Sequence, residues 1–475
     1  MEIAAFAQKD DVAQRIVQSL KDEEDGSSYR SKFARDRDRI VFCKSYRRLI
    51  HKMQLYLLEH DDHRRTRLTH TLEVVQIARA IAKKLGMNEG LVEAIGFGHD
   101  IGHTPFGHAG ERAIDRLLKE TSLPRYLSKS MTIENNPDTE LQEDFKHNFQ
   151  SVRVLTFLEE YHPLYPGLNL TIQTLEGILK HTKIKPISSP AKFCQYPDPD
   201  NLVFAKLSLD CSYSVTVEGQ IVALADDIAQ IVHDLDDALG KKVIGRKEIS
   251  SINEIESIVS SLKDYSDDMY AAQLRALLLK HFITRASNDF MEALTHLQPN
   301  DYTKANGSNI KLNKQLLSSN SDPVHTALKN FHEKLFNKVG IHRMDGKGEY
   351  IVKKLYNAYL TRPLYLTDRV LDQYHNLLQK RIIKDTDAFK LWVDERKKRY
   401  HIPKKEEVTA EDIVTAEDVN ALQNTSLRSV SKTLVEKWLP YMVVDKDFRR
   451  CIADHIANMT DDYAREEVAK LYMPR

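Results

Sequence analysis

Between residues 96 and 111 the chain reads Gly-Phe-Gly-His-Asp-Ile-Gly-His-Thr-Pro-Phe-Gly-His-Ala-Gly-Glu. His99, Asp100, His103, His108 and Glu111 fall within it, and glycines and a proline break up the backbone between them. Imidazole and carboxylate are ligand types that a divalent cation holds, so this density points to a metal-centred site. The plain alternative is a polar turn with satisfied histidines. On a regular helix the adjacent His99 and Asp100 would point apart; a helix ending near Gly102 would let both meet one ion. Neighbours in sequence cannot surround an ion, so other segments must contribute. His70, in Thr69-His70-Thr71, is one candidate. Asp226 is another, because it lies in an apolar helix with Ile221, Val222, Leu224, Ile228, Ile231 and Val232, where an unpaired charge is costly. Taken singly, His70 reads equally as a satisfied turn histidine and Asp226 as part of a solvated face. Together, two His and two Asp suit Mn²⁺, Fe²⁺, Co²⁺, Ni²⁺ or Zn²⁺, and Mg²⁺ less comfortably. Such a set leaves positions open for water and substrate. His108 and Glu111 are three apart and share one helix face. That pairing suits proton transfer, although a surface helix pair has the same spacing.

Most of the chain reads as helix, and these helices must position the groups above. Apolar steps at Leu68, Leu72, Val75, Ala78, Ala82 and Leu85 predict a buried helical face ending at Gly86. Leu91, Ala94, Ile95 and Gly98 carry a second helix toward His99 and Asp100, and a third spans 109–119. Residues 149–160, 171–182 and 220–239 also read as helix, as does most of 250–475. The alternation Tyr213-Ser-Val215-Thr-Val217 predicts a short strand. Residues 121–140, 184–201 and 404–418 read as loops. The expected fold is all-α with minor β structure: a catalytic core over 1–240 and a helical region over 241–475.

Composition sets the outer bounds. The 475 residues carry 69 Lys+Arg and 69 Asp+Glu, so the surface as a whole is not built to attract nucleic acid. Cys43, Cys194, Cys211 and Cys451 form no Cys-x-x-Cys pair, which argues against a thiolate zinc site or a disulfide framework. No apolar run approaches a membrane span and the N-terminus lacks a signal pattern, so a soluble cytoplasmic protein is expected. No Gly-x-x-x-x-Gly-Lys-[Ser/Thr] loop is present, which disfavours ATP-driven chemistry. The basic run Arg396-Lys-Lys-Arg399-Tyr400-His401 with Lys404-Lys405 offers charge and an aromatic ring for single-stranded nucleic acid or an effector nucleotide. Its plainer reading is a solvated helix end. Tyr350, Tyr356 and Tyr359 fall at helical spacing and read as core.

Taken together, these segments resemble one family. Arg64-Arg65-Thr66-Arg67-Leu68-Thr69-His70-Thr71, the stretch His99 to Glu111, Phe145-Lys146-His147-Asn148-Phe149, Gly167-Leu168-Asn169-Leu170-Thr171, Leu175-Glu176-Gly177-Ile178-Leu179-Lys180-His181 and the Asp226 helix are similar, in this order, to the deoxyguanosine triphosphate triphosphohydrolase family of HD-domain phosphohydrolases. So are Arg35 to Ile40, Arg47 to Gln54 and, near the end, Ala457 to Ala464. The resemblance implies a metal-dependent dNTP triphosphohydrolase that converts dGTP, or dNTPs generally, to deoxynucleoside and inorganic triphosphate. It implies His70, His99, Asp100 and Asp226 as ligands of a divalent ion such as Mn²⁺ or Mg²⁺, and His108 and Glu111 as the catalytic pair. It implies Gln54, Arg67, His103, His147, Asn148, Gln230 and Asp234 as substrate-binding positions, and a homo-oligomer. The chain departs from the pattern at Lys146, Met53, Asn458 and Asp462. It also departs at Gln230, where the family usually places a tyrosine against the sugar. The alternatives carried are an HD phosphohydrolase for a monophosphate or signalling nucleotide, and a nucleotide-binding regulator without turnover.

Overall fold

A computed structural model describes residues 3–16, 30–54, 65–119, 145–162, 165–186, 202–240, 242–304, 309–317, 322–336, 339–384, 439 and 442–473. The fold is all-α. Its helices of seven residues or more are α1 (Lys32–Phe42), α2 (Arg67–Leu85), α3 (Glu89–Gly98), α4 (Gly107–Lys119), α5 (His147–Arg153), α6 (Ile172–Leu179), α7 (Val217–Gly240), α8 (Asp267–Thr295), α9 (Pro323–Phe336), α10 (Val339–Thr361), α11 (Asp368–Lys384), α12 (Lys446–Ala457) and α13 (Asp461–Tyr472). Among the described residues, strands are limited to the antiparallel pair Tyr302–Thr303 and Lys311–Leu312. No described helix is long and apolar enough to cross a membrane. The loop tract 404–418, the basic run 396–405, the whole excursion at 121–140 and residues 187–201 of the loop at 184–201 lie outside the described residues.

Two compact units interleave along the sequence: residues 1–103, 147–190 and 202–345 form one, and 104–146, 191–201 and 346–475 the other. Residue 240 is where α7 ends.

In the first unit, α2 packs on α3, α7 and α8, while α3 also meets α1 and α6. Thr66 caps α2 by accepting the Thr69 N–H at 3.3 Å, and Thr69 Oγ1 accepts the Thr66 N–H in return. Gly86, at φ +70°, ends the helix. The buried stripe is Val74, Val75, Ile77, Ala78, Ile81, Ala82 and Leu85. His70 sits one turn ahead of Val74, on the same face. Leu72 corrects the expected stripe: it is 45% exposed, because the face turned to the core runs through His70 and Val74 instead. A Cβ at Gly98 would lie 2.4 Å from Ile178 Cδ1, so glycine lets α3 approach α6 at the end that carries His99.

The strand expected over 213–217 is not formed. The buried Glu176 carboxylate accepts Ser214 Oγ–H at 2.7 Å and the Val215 N–H at 3.1 Å, and Thr216 Oγ1 accepts the Gly219 N–H. Side chains therefore take donors that a ladder would have used, and the segment becomes the entry to α7. The helix expected over 149–160 is α5 followed by a wide π-turn, Val154–Leu158.

Glu218, fully buried near the start of α7, accepts the Gln8 N–H at 2.8 Å and the Asn88 N–H at 3.1 Å. Burial pushes its carboxyl up to about 7, against the partial opposition of those donors. The folded value lies above the unfolded 4.5, so the folded state holds this proton more tightly. Its contribution to stability is largest below about pH 4.5 and is lost as pH rises toward 7. Glu218→Gln keeps an acceptor and carries no charge. It should gain on the order of 2 kcal/mol over wild type at pH 8 and little at pH 4.5, read by denaturant unfolding. Equal gains at both pH values would contradict this account.

In the second unit, α4 packs on α12 and α11 on α12. Buried Arg449 donates to the Leu117 carbonyl and, at 3.2 Å, to Tyr356 Oη. Tyr356 and Tyr359 are core, as their spacing predicts, but Tyr350 is 58% exposed.

Candidate metal centre

The helix α3 ends at Gly98; its cap His99 keeps helical dihedrals, φ −58° and ψ −43°, and Asp100 follows in the turn. The turn is pinned: Ser151 Oγ donates to the His99 carbonyl at 2.8 Å and accepts the Gly102 N–H at 2.9 Å. A Cβ at Gly102 would lie 2.1 Å from Ser151 N, so only glycine admits this crossing by α5.

His99 Nδ1 lies 2.7 Å from the Gly96 carbonyl. A carbonyl only accepts, so Nδ1 carries the proton and Nε2 presents its lone pair. That Nε2 is buried without a hydrogen bond, with Asp100 Oδ1 at 3.6 Å and Asp226 Oδ1 at 3.7 Å. His70 Nε2 lies 2.9 Å from Asp226 Oδ1. Ligand atoms of His70, His99 and Asp100 lie within 4.8 Å of one another. A buried, bare imidazole nitrogen facing two carboxylates and a second imidazole fits a divalent cation. The ring N–H held by a backbone carbonyl is the usual outer partner of a ligating histidine.

Charge at this site is balanced by neighbours. Burial alone would raise Asp100; Arg67, His103 and His99 outweigh it and hold the carboxyl well below its ordinary range. Burial would also raise Asp226, and the His70 hydrogen bond with the charges of His99 and His70 holds it low. For His70 burial acts downward, but the hydrogen bond and charge of Asp226 leave it raised. Arg67 is buried, and its Nη1 pairs with Asp100 Oδ2 at 2.7 Å. Breaking a buried pair strands a charge, at a cost of about 3–5 kcal/mol. Arg67→Met should therefore destabilise the metal-free protein by about 3 kcal/mol in chemical denaturation. A loss under about 1 kcal/mol would show that Asp100 has another counter-charge.

The other expected positions fall as follows. His103 stacks on His147 with ring centroids 3.8 Å apart, and His103 Nε2 meets Asp100 Oδ1 at 3.1 Å. Asn148 Nδ2 donates to the Leu179 carbonyl at 2.9 Å and to Thr182 Oγ1 at 2.8 Å. Gln54 is half-buried, and its Oε1 accepts no hydrogen bond. Gln230 lines a cavity of about 330 Å³ that is also lined by Asp226, His181, Tyr213 and Lys329. Asp234 pairs with His332 on α9. In the second unit, His108 is exposed on α4, and its Nδ1 lies 3.8 Å from Oε2 of the nearly buried Glu111. Lys146 Nζ reaches Glu111 Oε1 at 3.7 Å.

Spacing alone did not single out two groups. His233 places Nδ1 3.2 Å from His70 Nδ1 and pairs through Nε2 with Glu73. The signal was periodic: Glu73 follows His70 by three residues and His233 follows Asp226 by seven, each on one helix face. His181 ends the apolar α6 segment, fixes its Nδ1 proton on the Ile178 carbonyl at 2.7 Å and sets Nε2 3.2 Å from His147 Nε2.

This arrangement of helices and His/Asp groups is that of a known class. Residues 67–231 match the HD domain. The chain is 34% identical over 351 residues to the deoxyguanosinetriphosphate triphosphohydrolase-like protein of Rickettsia bellii, covering 70% of this chain and 81% of that one. The protein of the same description from Bartonella tribocorum is 34% identical over 345 residues, with 70% and 79% covered. That of Rickettsia rickettsii is 32% identical over 353 residues, with 70% and 80% covered. The chain belongs to the deoxyguanosinetriphosphate triphosphohydrolase-like family of HD-domain proteins.

Proposed function

We propose that this protein is a metal-dependent dNTP triphosphohydrolase, converting dGTP or dNTPs generally to the deoxynucleoside and inorganic triphosphate. The observation that carries it is the bare, buried Nε2 of His99 facing Asp100 and Asp226, in a chain whose relatives bear the name of that activity. His70, His99, Asp100 and Asp226 would hold a divalent ion such as Mn²⁺ or Mg²⁺. When bound, such an ion polarises the α-phosphoryl group and acidifies water.

The side chains supply the rest. Arg67 holds Asp100 in its ionised, ligating form through the 2.7 Å pair. The Glu73–His233 pair behind His70 fixes the ring that presents Nε2 to Asp226. His103 and His147 offer stacked imidazoles for phosphate oxygens. Gln230 and Asp226 share the wall of the 330 Å³ cavity, which is a place for the sugar beside the ligand set. Gln230 contacts it through hydrogen bonds, not a stacked ring. His108, oriented by Glu111, moves a proton from the attacking water or to the departing 5′-oxygen.

Incubation with Mn²⁺ or Mg²⁺ and each dNTP, with products separated by ion exchange, tests the reaction. The expected products are nucleoside and intact triphosphate in equal amounts. Stepwise release of single phosphates, or turnover of monophosphates alone, would contradict it and favour another HD phosphohydrolase.

A further inference from the structure

The chain enters α4 through a backbone conformation that it would not adopt unaided. Phe106 has φ +64° and Gly107 φ +55°. Glycine takes this region freely, but a bulky residue there is an outlier that persists only when its surroundings hold it. Phe106 is buried at 4% exposure, and part of what surrounds it comes from distant segments of the chain. Its N–H donates to Asp461 Oδ1 at 2.9 Å, across 355 residues of sequence. The Arg465 guanidinium lies 6.0 Å from its ring centroid. A Cβ at Gly348 would lie 2.7 Å from Phe106 Cβ, so glycine is what admits the side chain.

Asp461 is itself fixed. It is 2% exposed and opens α13, whose cap Thr460 accepts the Tyr463 N–H at 3.3 Å. Its carboxylate is aimed from a helix start, not from a free loop. Downstream of the bend, the Phe106 carbonyl accepts the Gly110 N–H, and Thr104 Oγ1 donates to the Gly107 carbonyl at 2.8 Å. The bend at Phe106 therefore sets where α4 begins and how it is rotated. His108 and Glu111 lie in that first turn and a half.

We infer that Asp461 is a positioning residue for the His108–Glu111 pair: it holds Phe106 left-handed and so fixes the rotation of the first turn of α4. The inference rests on the reading of that pair as the proton-transfer groups. It assigns a task to the closing segment of the chain, whose carboxylate acts on the backbone of α4 and touches no reacting atom.

The experiment uses full-length Asp461→Ala and Asp461→Asn, with Glu111→Gln as the reference for the pair. Amide hydrogen exchange over 104–111 reads the bend independently of activity. Asp461→Ala should speed exchange at Phe106 by about 10-fold or more, since the amide loses its acceptor. It should lower kcat by roughly 10- to 100-fold with KM and bound metal near wild type, because misplaced groups cost turnover more than binding. Asp461→Asn retains an Oδ1 acceptor and should recover most of both losses, which a general loss of folding would not allow. A folded Asp461→Ala with wild-type exchange at Phe106 overturns the inference, as does one with wild-type kcat while Glu111→Gln is slow. If Glu111→Gln is silent while exchange at Phe106 rises in Asp461→Ala, the reading of the pair has failed, and the link from bend to turnover falls with it.

Discussion

Asp226→Ala should purify as a folded helical protein that no longer retains Mn²⁺, with turnover down by about 10³-fold or more. The effect is large because one oxygen serves three purposes. Asp226 Oδ1 lies 2.9 Å from His70 Nε2 and 3.7 Å from His99 Nε2, so its removal would take a charge from the proposed ion, a hydrogen-bond partner from His70 and the nearby carboxylate from His99. Asp226 is also the proposed ligand drawn from α7, whereas Asp100 and His99 come from one turn and His70 from α2. Without it the remaining groups approach from fewer sides. Folding should survive, because the apolar residues around it, Ile221, Val222, Ala225, Ile228 and Ala229, are buried independently of its carboxylate. Metal content by elemental analysis and turnover with dGTP check both halves. A variant that retains stoichiometric metal and native turnover would remove Asp226 from the site.

His108→Ala should behave differently. Its metal content should match wild type, while kcat falls by roughly 10²- to 10⁴-fold, the usual range for losing a proton-transfer group. The side chain is 60% exposed and makes its carboxylate contact at 3.8 Å, longer than a hydrogen bond. Little folding energy depends on it, so the loss should be one of chemistry, not stability. Glu111→Gln keeps the shape and removes the orienting charge, and should cost less than His108→Ala. Single-turnover kinetics separates the chemical step from product release. An unchanged single-turnover rate in His108→Ala would end the proton-transfer assignment.

What the sequence made legible was what repeats or clusters. The three- and four-residue steps of α2, α3 and α7 announced buried faces, and a run of imidazoles and carboxylates pointed to a candidate ligand set. What stayed hidden came from distant packing. Leu72 fits the apolar period yet faces solvent, because the core takes the neighbouring stripe that includes His70. Val215 and Val217 alternate as a strand would, but the buried Glu176 claims the Val215 N–H. The Glu73–His233–His70 chain needs α2 and α7 side by side, which no local pattern states. The left-handed Phe106 donates its N–H to a carboxylate 355 residues away, a contact no local pattern states. The runs of charge at 396–405, which suggested an anionic partner, lie outside the described residues, and a homo-oligomer remains a proposal.

The most direct measurement is diffraction from crystals of the wild-type protein grown with Mn²⁺, collected where manganese scatters anomalously. The account requires one strong peak per chain at about 2.0–2.3 Å from His70 Nε2, His99 Nε2 and oxygens of Asp100 and Asp226. A peak elsewhere that touches none of these four, at an Mn²⁺ concentration that supports turnover, would contradict it.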